Sequence, residues 1–85
     1  MGESLETIAT ALIGFLNAEI MAPGHAIGPA DRLEQAGVDS MALLKVLLFV
    51  ERQFGFWIPD EDLVPDNVAT VASLAGYVAR RRSAE

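Results

Sequence analysis

The segment MALLKVLLFV, residues 41–50, constrains the fold more than any other part of the chain, because Lys45 is its single polar residue. Its composition predicts a helix from Ser40 to Phe54, with Ser40 as the N-cap. Gly55 follows, and a glycine in the left-handed conformation commonly ends a helix. Such a helix is apolar on more than one face, which is more than a single small core readily buries.

Two apolar stripes run along this predicted helix. The inner stripe consists of Val46, Leu47, Val50 and Phe54. The outer stripe consists of Met41, Leu44 and Leu48. Either both stripes lie in the core, or the outer stripe is partly exposed and contacts a partner or a ligand. The second interpretation is favoured because a chain of 85 residues builds only one modest core.

The N-terminal half predicts one further helix and a long loop. Apolar residues recur at helical spacing from Leu5, so a first helix with Ser4 as its N-cap is predicted to end near Ile20 or Met21. The following segment, APGHAIGPADRLEQAGVD, has two prolines and three glycines in 18 residues, which predicts an ordered loop. The apolar side chains expected to hold this loop against the core are Ile27 and Leu33.

The C-terminal part predicts two more helices. A short helix begins at Pro59 and is stopped by Pro65. The last helix has Thr70 as its N-cap and ends at the arginines of positions 80–82, interpreted as a solvated end that offsets the helix dipole. The prediction is a single all-α domain, residues 1–85, built as a bundle of three longer helices and a short one.

Composition narrows the classes of function. The net charge of -6 argues against a nucleic-acid binder, whose surface is normally basic. The absence of cysteine excludes disulfides and a thiolate nucleophile, so thiol chemistry would have to be imported. The N-terminus lacks the basic start of a secretory signal, and no apolar run is long enough to span a bilayer. A cytoplasmic monomer without a membrane span is expected.

Residues for classical catalysis are scarce, and no enzyme is predicted. His25, the sole histidine, lies in the loop and is interpreted as a surface residue. The acidic cluster within residues 60–66 lacks the spacing of a calcium loop, so no metal site is predicted. Ser40 remains. It is either a simple helix cap or an attachment point, because a phosphate esterified to a serine at a helix start lies in a favourable field.

Three phrases of the sequence, GVDSM, FGFWIPDEDL and ATVASLAGYV, together resemble the acyl carrier protein family, the phosphopantetheine-attachment domain. Asp39, Ser40 and Met41 stand at the family's Asp-Ser-Leu motif, and Gly37 lies two residues before the acid. The resemblance covers nearly the whole chain and is weakest before residue 30. It implies a helical carrier that works with partner enzymes.

The resemblance also implies roles for individual residues. A phosphopantetheinyl transferase would attach 4′-phosphopantetheine to Ser40, and the thiol of this arm would hold an acyl or aminoacyl group as a thioester. Asp39 would help the transferase to place its magnesium and the serine. The residues that would contact the arm and partner enzymes are Met41, Leu44 and Leu48. The residues that would line an acyl pocket between the second helix and the short helix are Leu47, Val50, Ile58, Leu63 and Val68.

The predicted second helix departs from housekeeping fatty-acid carriers, which usually line it with acids. The positions that lack the expected negative charge hold Ala42, Lys45, Arg52 and Gln53. With Glu51 as the one acid, the segment from Ser40 to Phe54 has a net charge of +1. Partner recognition is therefore expected to depend on apolar contact through the outer stripe.

These departures favour a discrete acyl carrier of a dedicated lipid or secondary-metabolite pathway. Its expected partners are a phosphopantetheinyl transferase and acyl-loading and acyl-processing enzymes. Two alternatives remain open. The chain is an aminoacyl or peptidyl carrier, or it is a helical adaptor in which Ser40 is only a cap and the outer stripe binds a partner helix.

Overall fold

The computed structural model describes residues 4–84. Its four α-helices are α1 (Leu5–Phe15), α2 (Ser40–Phe54), α3 (Pro65–Val68) and α4 (Val71–Ala84). A π-helical turn, Leu16–Ile20, extends α1, and a 3-10 turn, Asp60–Asp62, precedes α3. Residues 4–84 contain no strand beyond one isolated bridge between Arg32 and Thr70. The predicted all-α architecture, with three longer helices and a short one, is confirmed.

Helix α1 begins where the sequence predicts, and the predicted end near Ile20 is that of its π-helical extension. The Ser4 hydroxyl accepts a hydrogen bond from the Thr7 N–H at 3.1 Å, which satisfies a donor of the first turn. At the other end, the Met21 N–H donates to the Leu16 carbonyl at 2.8 Å, a bond that spans five residues and defines the π-helical turn. Asn17 in this turn accepts a hydrogen bond from the Ile27 N–H at 2.8 Å, and so fixes the start of the loop.

The core lies between α1, α2 and α4. Helix α1 packs mainly against α4 and also against α2. The predicted inner stripe of α2 is buried throughout, and its members are Val46, Leu47, Val50 and Phe54. Ile27 and Leu33, expected to hold the loop, are both buried in the same core. None of the helices in the described part of the chain has the length and apolar character needed to cross a membrane.

The loop before α2 follows a fixed path along the junction of α3 and α4. The Leu33 N–H donates to the Ala69 carbonyl at 2.9 Å, and the Ala72 N–H donates to the Pro29 carbonyl at 2.9 Å. A further bond from the Val38 N–H to the Leu33 carbonyl, at 2.9 Å, folds the loop back toward α2. These bonds bring the loop, α3 and the start of α2 together.

The start of α4 confirms the predicted cap. The Ser73 N–H donates to the Thr70 hydroxyl at 3.0 Å, and the Thr70 N–H donates to the Ser73 hydroxyl at 3.0 Å. This reciprocal pair is a capping box in which serine takes the place of the usual acid or amide. Because Thr70 also bridges to Arg32, the cap of α4 and the loop support each other.

The prediction of a single short helix between Pro59 and Pro65 is wrong, because the structure has two separate helical segments in this region. Pro59 is the N-cap of the 3-10 turn Asp60–Asp62, and Pro65 is the first residue of a separate helix, α3. Proline suits this first position because its missing N–H would lack a helical partner anyway and its φ is already helical. Each proline therefore marks the start of a helical segment, whereas Pro65 was predicted to stop a helix.

The interpretation of the arginine run as only a solvated helix end is also wrong, because each of the three side chains donates a hydrogen bond. Arg81 donates to the Tyr77 hydroxyl at 2.8 Å, and its guanidinium lies 4.6 Å from the centre of the Phe56 ring. Tyr77 in turn donates to Asp62 at 2.6 Å, and burial, followed by this hydrogen bond, raises the pKa of Tyr77. Arg82 donates to the carbonyl of Phe54. The arginines thus fasten α4 to the end of α2 and to the 3-10 turn.

Candidate functional site

Ser40 is the first residue of α2, and the prediction that it is the N-cap is wrong. The cap is Asp39, whose backbone is extended and whose carboxylate accepts a hydrogen bond from the Ala42 N–H at 2.9 Å. A carboxylate reaches this amide from the cap position, while Ser40 already has a helical backbone. Gly37, with φ of +97°, makes the turn that leads into the helix.

The Ser40 hydroxyl is consequently free for chemistry. It is exposed, and among residues 4–84 it has no hydrogen-bond partner. The first N–H groups of α2 have no carbonyl of the same helix to bind, so the positive end of the helix dipole lies beside this oxygen. These features fit a serine-linked phosphodiester, since the oxygen is accessible and the field favours an anion.

The cap yields a first testable prediction. Asp39→Ala is expected to lower the free energy of unfolding by about 1 kcal/mol, because an N-cap acceptor is lost. Asp39→Asn, which retains an acceptor at the same place, is expected to remain within a few tenths of a kcal/mol of the wild-type chain. Urea unfolding followed by circular dichroism measures both. An equal loss in the two variants would show that the cap bond is not what Asp39 contributes.

A groove of about 480 Å³ opens beside Ser40, between the loop, the first turn of α2 and α3. Its apolar lining consists of Leu33, Val38, Leu43, Leu63, Pro65, Val68 and Ala69. Its charged lining consists of Arg32, Glu34 and Asp39. An apolar trough with a few charged groups at its border is the usual form of a small-ligand site.

The groove only partly matches the predicted acyl pocket. Leu63 and Val68 line the groove, and that it receives an acyl chain stays a prediction. Leu47, Val50 and Ile58 do not line it but are buried in the core, with exposed fractions of 5%, 0% and 0%. That an acyl chain reaches these three residues stays a prediction.

Other lining residues of the groove were missed at the sequence level. Leu33 was identified only as a core contact of the loop, and Val38 and Leu43 were not singled out. Arg32 was not singled out either, because nothing near it in sequence indicates a site. These residues line the groove because of the path of the loop, which is fixed by hydrogen bonds to residues distant in the sequence.

The outer stripe of α2 is exposed, as the favoured interpretation expected. Met41 is 68% exposed, and Leu44 and Leu48 are each 43% exposed. Lys45, between them, is exposed as well. Apolar side chains that remain open beside the free serine favour contact with another molecule, and the identity of that molecule stays a prediction.

His25 does not line the groove beside Ser40. It lines a second cavity of about 550 Å³ between the end of the π-helical turn and the loop, and Ser40 is not part of that cavity. His25 is the sole histidine of the sequence, so the lining of the groove beside Ser40 contains no histidine.

A family model described as a phosphopantetheine attachment site matches residues 6–78. The acyl carrier protein of Acidothermus cellulolyticus is 30% identical over 80 residues, which are 93% of either chain. The fold is similar to a holo acyl carrier protein of Nitrosomonas europaea, with a TM-score of 0.64, 27% identity, and coverage of 93% of this chain and 95% of that one.

A second similar structure contains a glycylated carrier protein. It is a chain in the crystal structure of the Bradyrhizobium japonicum glycine:[carrier protein] ligase complexed with glycylated carrier protein. The TM-score is 0.64 at 28% identity, with coverage of 85% of this chain and 95% of that chain. Since the family model spans most of the sequence, this chain belongs to the phosphopantetheine-attachment family, as a carrier protein whose cofactor is covalently attached 4′-phosphopantetheine.

Proposed function

We propose that the chain is an acyl carrier that holds short acyl groups on an arm attached to Ser40. The observation that carries this proposal is the position of the Ser40 hydroxyl, which is exposed, without a hydrogen bond within residues 4–84, and next to the groove. In the attachment step the serine oxygen forms a bond to phosphorus and loses its proton. Adenosine 3′,5′-bisphosphate, the remainder of coenzyme A, leaves.

The residues around Ser40 prepare the chain for this step. Asp39 fixes the first turn of α2 through one carboxylate oxygen, so the serine oxygen stays at the surface. The other carboxylate oxygen has no hydrogen bond among the described residues and remains open to a magnesium ion brought by the transferase. The outer stripe then serves as the contact surface for the transferase and for loading enzymes.

The closed core supports a short load. Burial of each methylene contributes about 0.8 kcal/mol, so a carrier that encloses a long chain needs an apolar channel to receive it. Val50 and Ile58, where the sequence predicts the lining of such a channel, are both 0% exposed and packed in the core. The open groove beside α3 accommodates a short group without disrupting that core.

An aminoacyl load is the second candidate. Its support is the similarity to the chain in the glycine ligase complex with glycylated carrier protein, together with the closed core. For either load, the net charge of +1 from Ser40 to Phe54 favours partners that do not rely on a basic docking patch. This charge supports a dedicated pathway over bulk fatty-acid synthesis.

The load is tested with a series of arms of increasing length. A broad-specificity transferase converts the chain to acetyl, butyryl, octanoyl and dodecanoyl forms, and methyl NMR follows Leu63 and Val68 in the groove and Val50 and Ile58 in the core. We expect the groove methyls to shift with butyryl and to change little further with longer chains, while the core methyls stay in place. Shifts at Val50 and Ile58 that grow from octanoyl to dodecanoyl would contradict a short load.

An alanyl form, made from alanyl-coenzyme A, separates the two candidates. Alanyl and butyryl are similar in size, but the alanyl group carries an ammonium where butyryl ends in an apolar chain. A short-acyl carrier is expected to show larger shifts of Leu63 and Val68 with butyryl, because its groove is mainly apolar. Equal or larger shifts with alanyl would favour the aminoacyl candidate.

A further inference from the structure

We propose that Arg32 binds the phosphodiester of the arm on Ser40 and thereby directs the arm into the groove. The inference rests on the proposed attachment at Ser40. Arg32 and Ser40 line the same groove, although eight positions separate them in the sequence. Arg32 is thus a positioning residue, and the group it recognises is a singly charged phosphate diester.

The guanidinium of Arg32 is available for this contact. Its side chain is exposed, and within residues 4–84 it makes no hydrogen bond or ion pair. The neighbouring acid, Asp31, is engaged elsewhere, because its carboxylate accepts a hydrogen bond from the Gly28 N–H at 2.7 Å. A planar guanidinium presents parallel donors that match two phosphate oxygens.

The backbone that carries Arg32 is held firmly. Arg32 bridges to Thr70, and its carbonyl accepts a hydrogen bond from the Ala36 N–H at 3.0 Å. The next residue, Leu33, is 3% exposed and donates its N–H to the Ala69 carbonyl at 2.9 Å. The backbone of Arg32 is therefore held in place beside the groove, and the exposed side chain extends from it.

The charges that line the groove give the Arg32 guanidinium a specific role. The other charged groups that line the groove, Glu34 and Asp39, are both acidic, and Arg32 is the cation among the lining residues. A phosphodiester on Ser40 would be repelled by these two carboxylates, so the arm would tend to extend into solvent. Arg32 offsets this repulsion and draws the arm toward Leu63 and Val68, on the α3 side of the groove.

The test compares holo proteins made from coenzyme A with a transferase. The test variants are Arg32→Ala and Arg32→Gln, which remove the charge, the second with much of the side-chain length retained. The matched control is Arg52→Ala, which removes an exposed cation of α2 that does not line the groove. Intact mass confirms that each protein carries the arm, and amide NMR confirms that each is folded.

Two NMR readouts follow the arm itself. In the wild-type chain and in Arg52→Ala, we expect attachment of the arm to shift the methyls of Leu63 and Val68. In both Arg32 variants we expect most of this shift to be lost and the phosphorus resonance to move. The side-chain Nε resonance of Arg32 is also expected to change when the apo chain becomes holo.

The outcomes separate this inference from the proposed function. Holo Arg32 variants with wild-type methyl shifts and an unmoved phosphorus resonance would overturn the role of Arg32 and leave attachment at Ser40 intact. A wild-type chain that gains no arm would overturn the proposed function, and the inference with it. An equal loss of shift in Arg52→Ala would show a general charge effect and would also overturn the specific contact.

Discussion

Replacement of Phe54 by alanine is expected to lower the free energy of unfolding by about 3–5 kcal/mol. Phe54 is 1% exposed at the end of α2, and its ring meets that of Phe49 edge to face with centroids 6.2 Å apart. The guanidinium of Arg82 lies 5.9 Å from the same ring. Alanine would leave a cavity where α2 and α4 meet, and a domain of this length has only roughly 4–13 kcal/mol of net stability.

The matched control is Leu48→Ala on the same helix. Leu48 belongs to the outer stripe and is 43% exposed, so its truncation is expected to cost about 1 kcal/mol or less. Urea unfolding, followed by circular dichroism or by the fluorescence of Trp57, measures both variants. A Phe54→Ala chain as stable as Leu48→Ala would contradict the division of α2 into an inner and an outer stripe.

The sequence predicts α2 well because its signals are local and strong. The run from Met41 to Val50 has helical periodicity on two faces, and Gly55 adopts φ of +86° where a stop was predicted. The separation of the two stripes also follows from spacing and from the limited core of a small domain. The exposed outer stripe at the candidate site was predictable in this way, whereas the free Ser40 hydroxyl was not, because Ser40 was predicted to be the cap.

The wrong predictions of helix boundaries arise where two residues close in the sequence are equally suited to the same position in a helix. Asp39 and Ser40 are both good N-caps, and the choice depends on which residue first has a helical backbone. Pro59 and Pro65 both suit a helix start, so a single short helix with a proline stop was an equally good description of the sequence. Local propensity does not separate these cases.

The groove and the contacts of the arginines at positions 80–82 could not be predicted from the sequence for a different reason. Leu33 joins Ala69, and Arg82 joins Phe54, across 36 and 28 positions of the sequence. No local sequence pattern indicates such contacts, because they depend on how the loop and α4 pack. Arg32 gains its place in the lining of the groove through a long-range bridge of the same kind, to Thr70.

The second large effect concerns attachment of the arm. Ser40→Ala is expected to abolish the mass gain on incubation with coenzyme A and a transferase, because the oxygen that forms the new bond is gone. Its hydroxyl has no hydrogen-bond partner among residues 4–84, so stability is expected to change by only about 0.5 kcal/mol or less. The loss of loading will therefore not be caused by unfolding.

Ser4→Ala is the matched control, because Ser4 is also an exposed serine at a helix start. Its hydroxyl caps α1, and the variant is expected to lose about 1 kcal/mol of stability while keeping the full mass gain. A reduced gain in Ser4→Ala would mean that helix-start serines in general, or the stability of α1, control the reaction.

The most direct measurement is the intact mass of the wild-type chain and of Ser40→Ala, before and after incubation with coenzyme A and a broad-specificity transferase. We predict that the wild-type chain gains the mass of a single phosphopantetheine group and that Ser40→Ala gains none. A wild-type chain of unchanged mass, or a Ser40→Ala chain that still gains the group, would contradict attachment at Ser40.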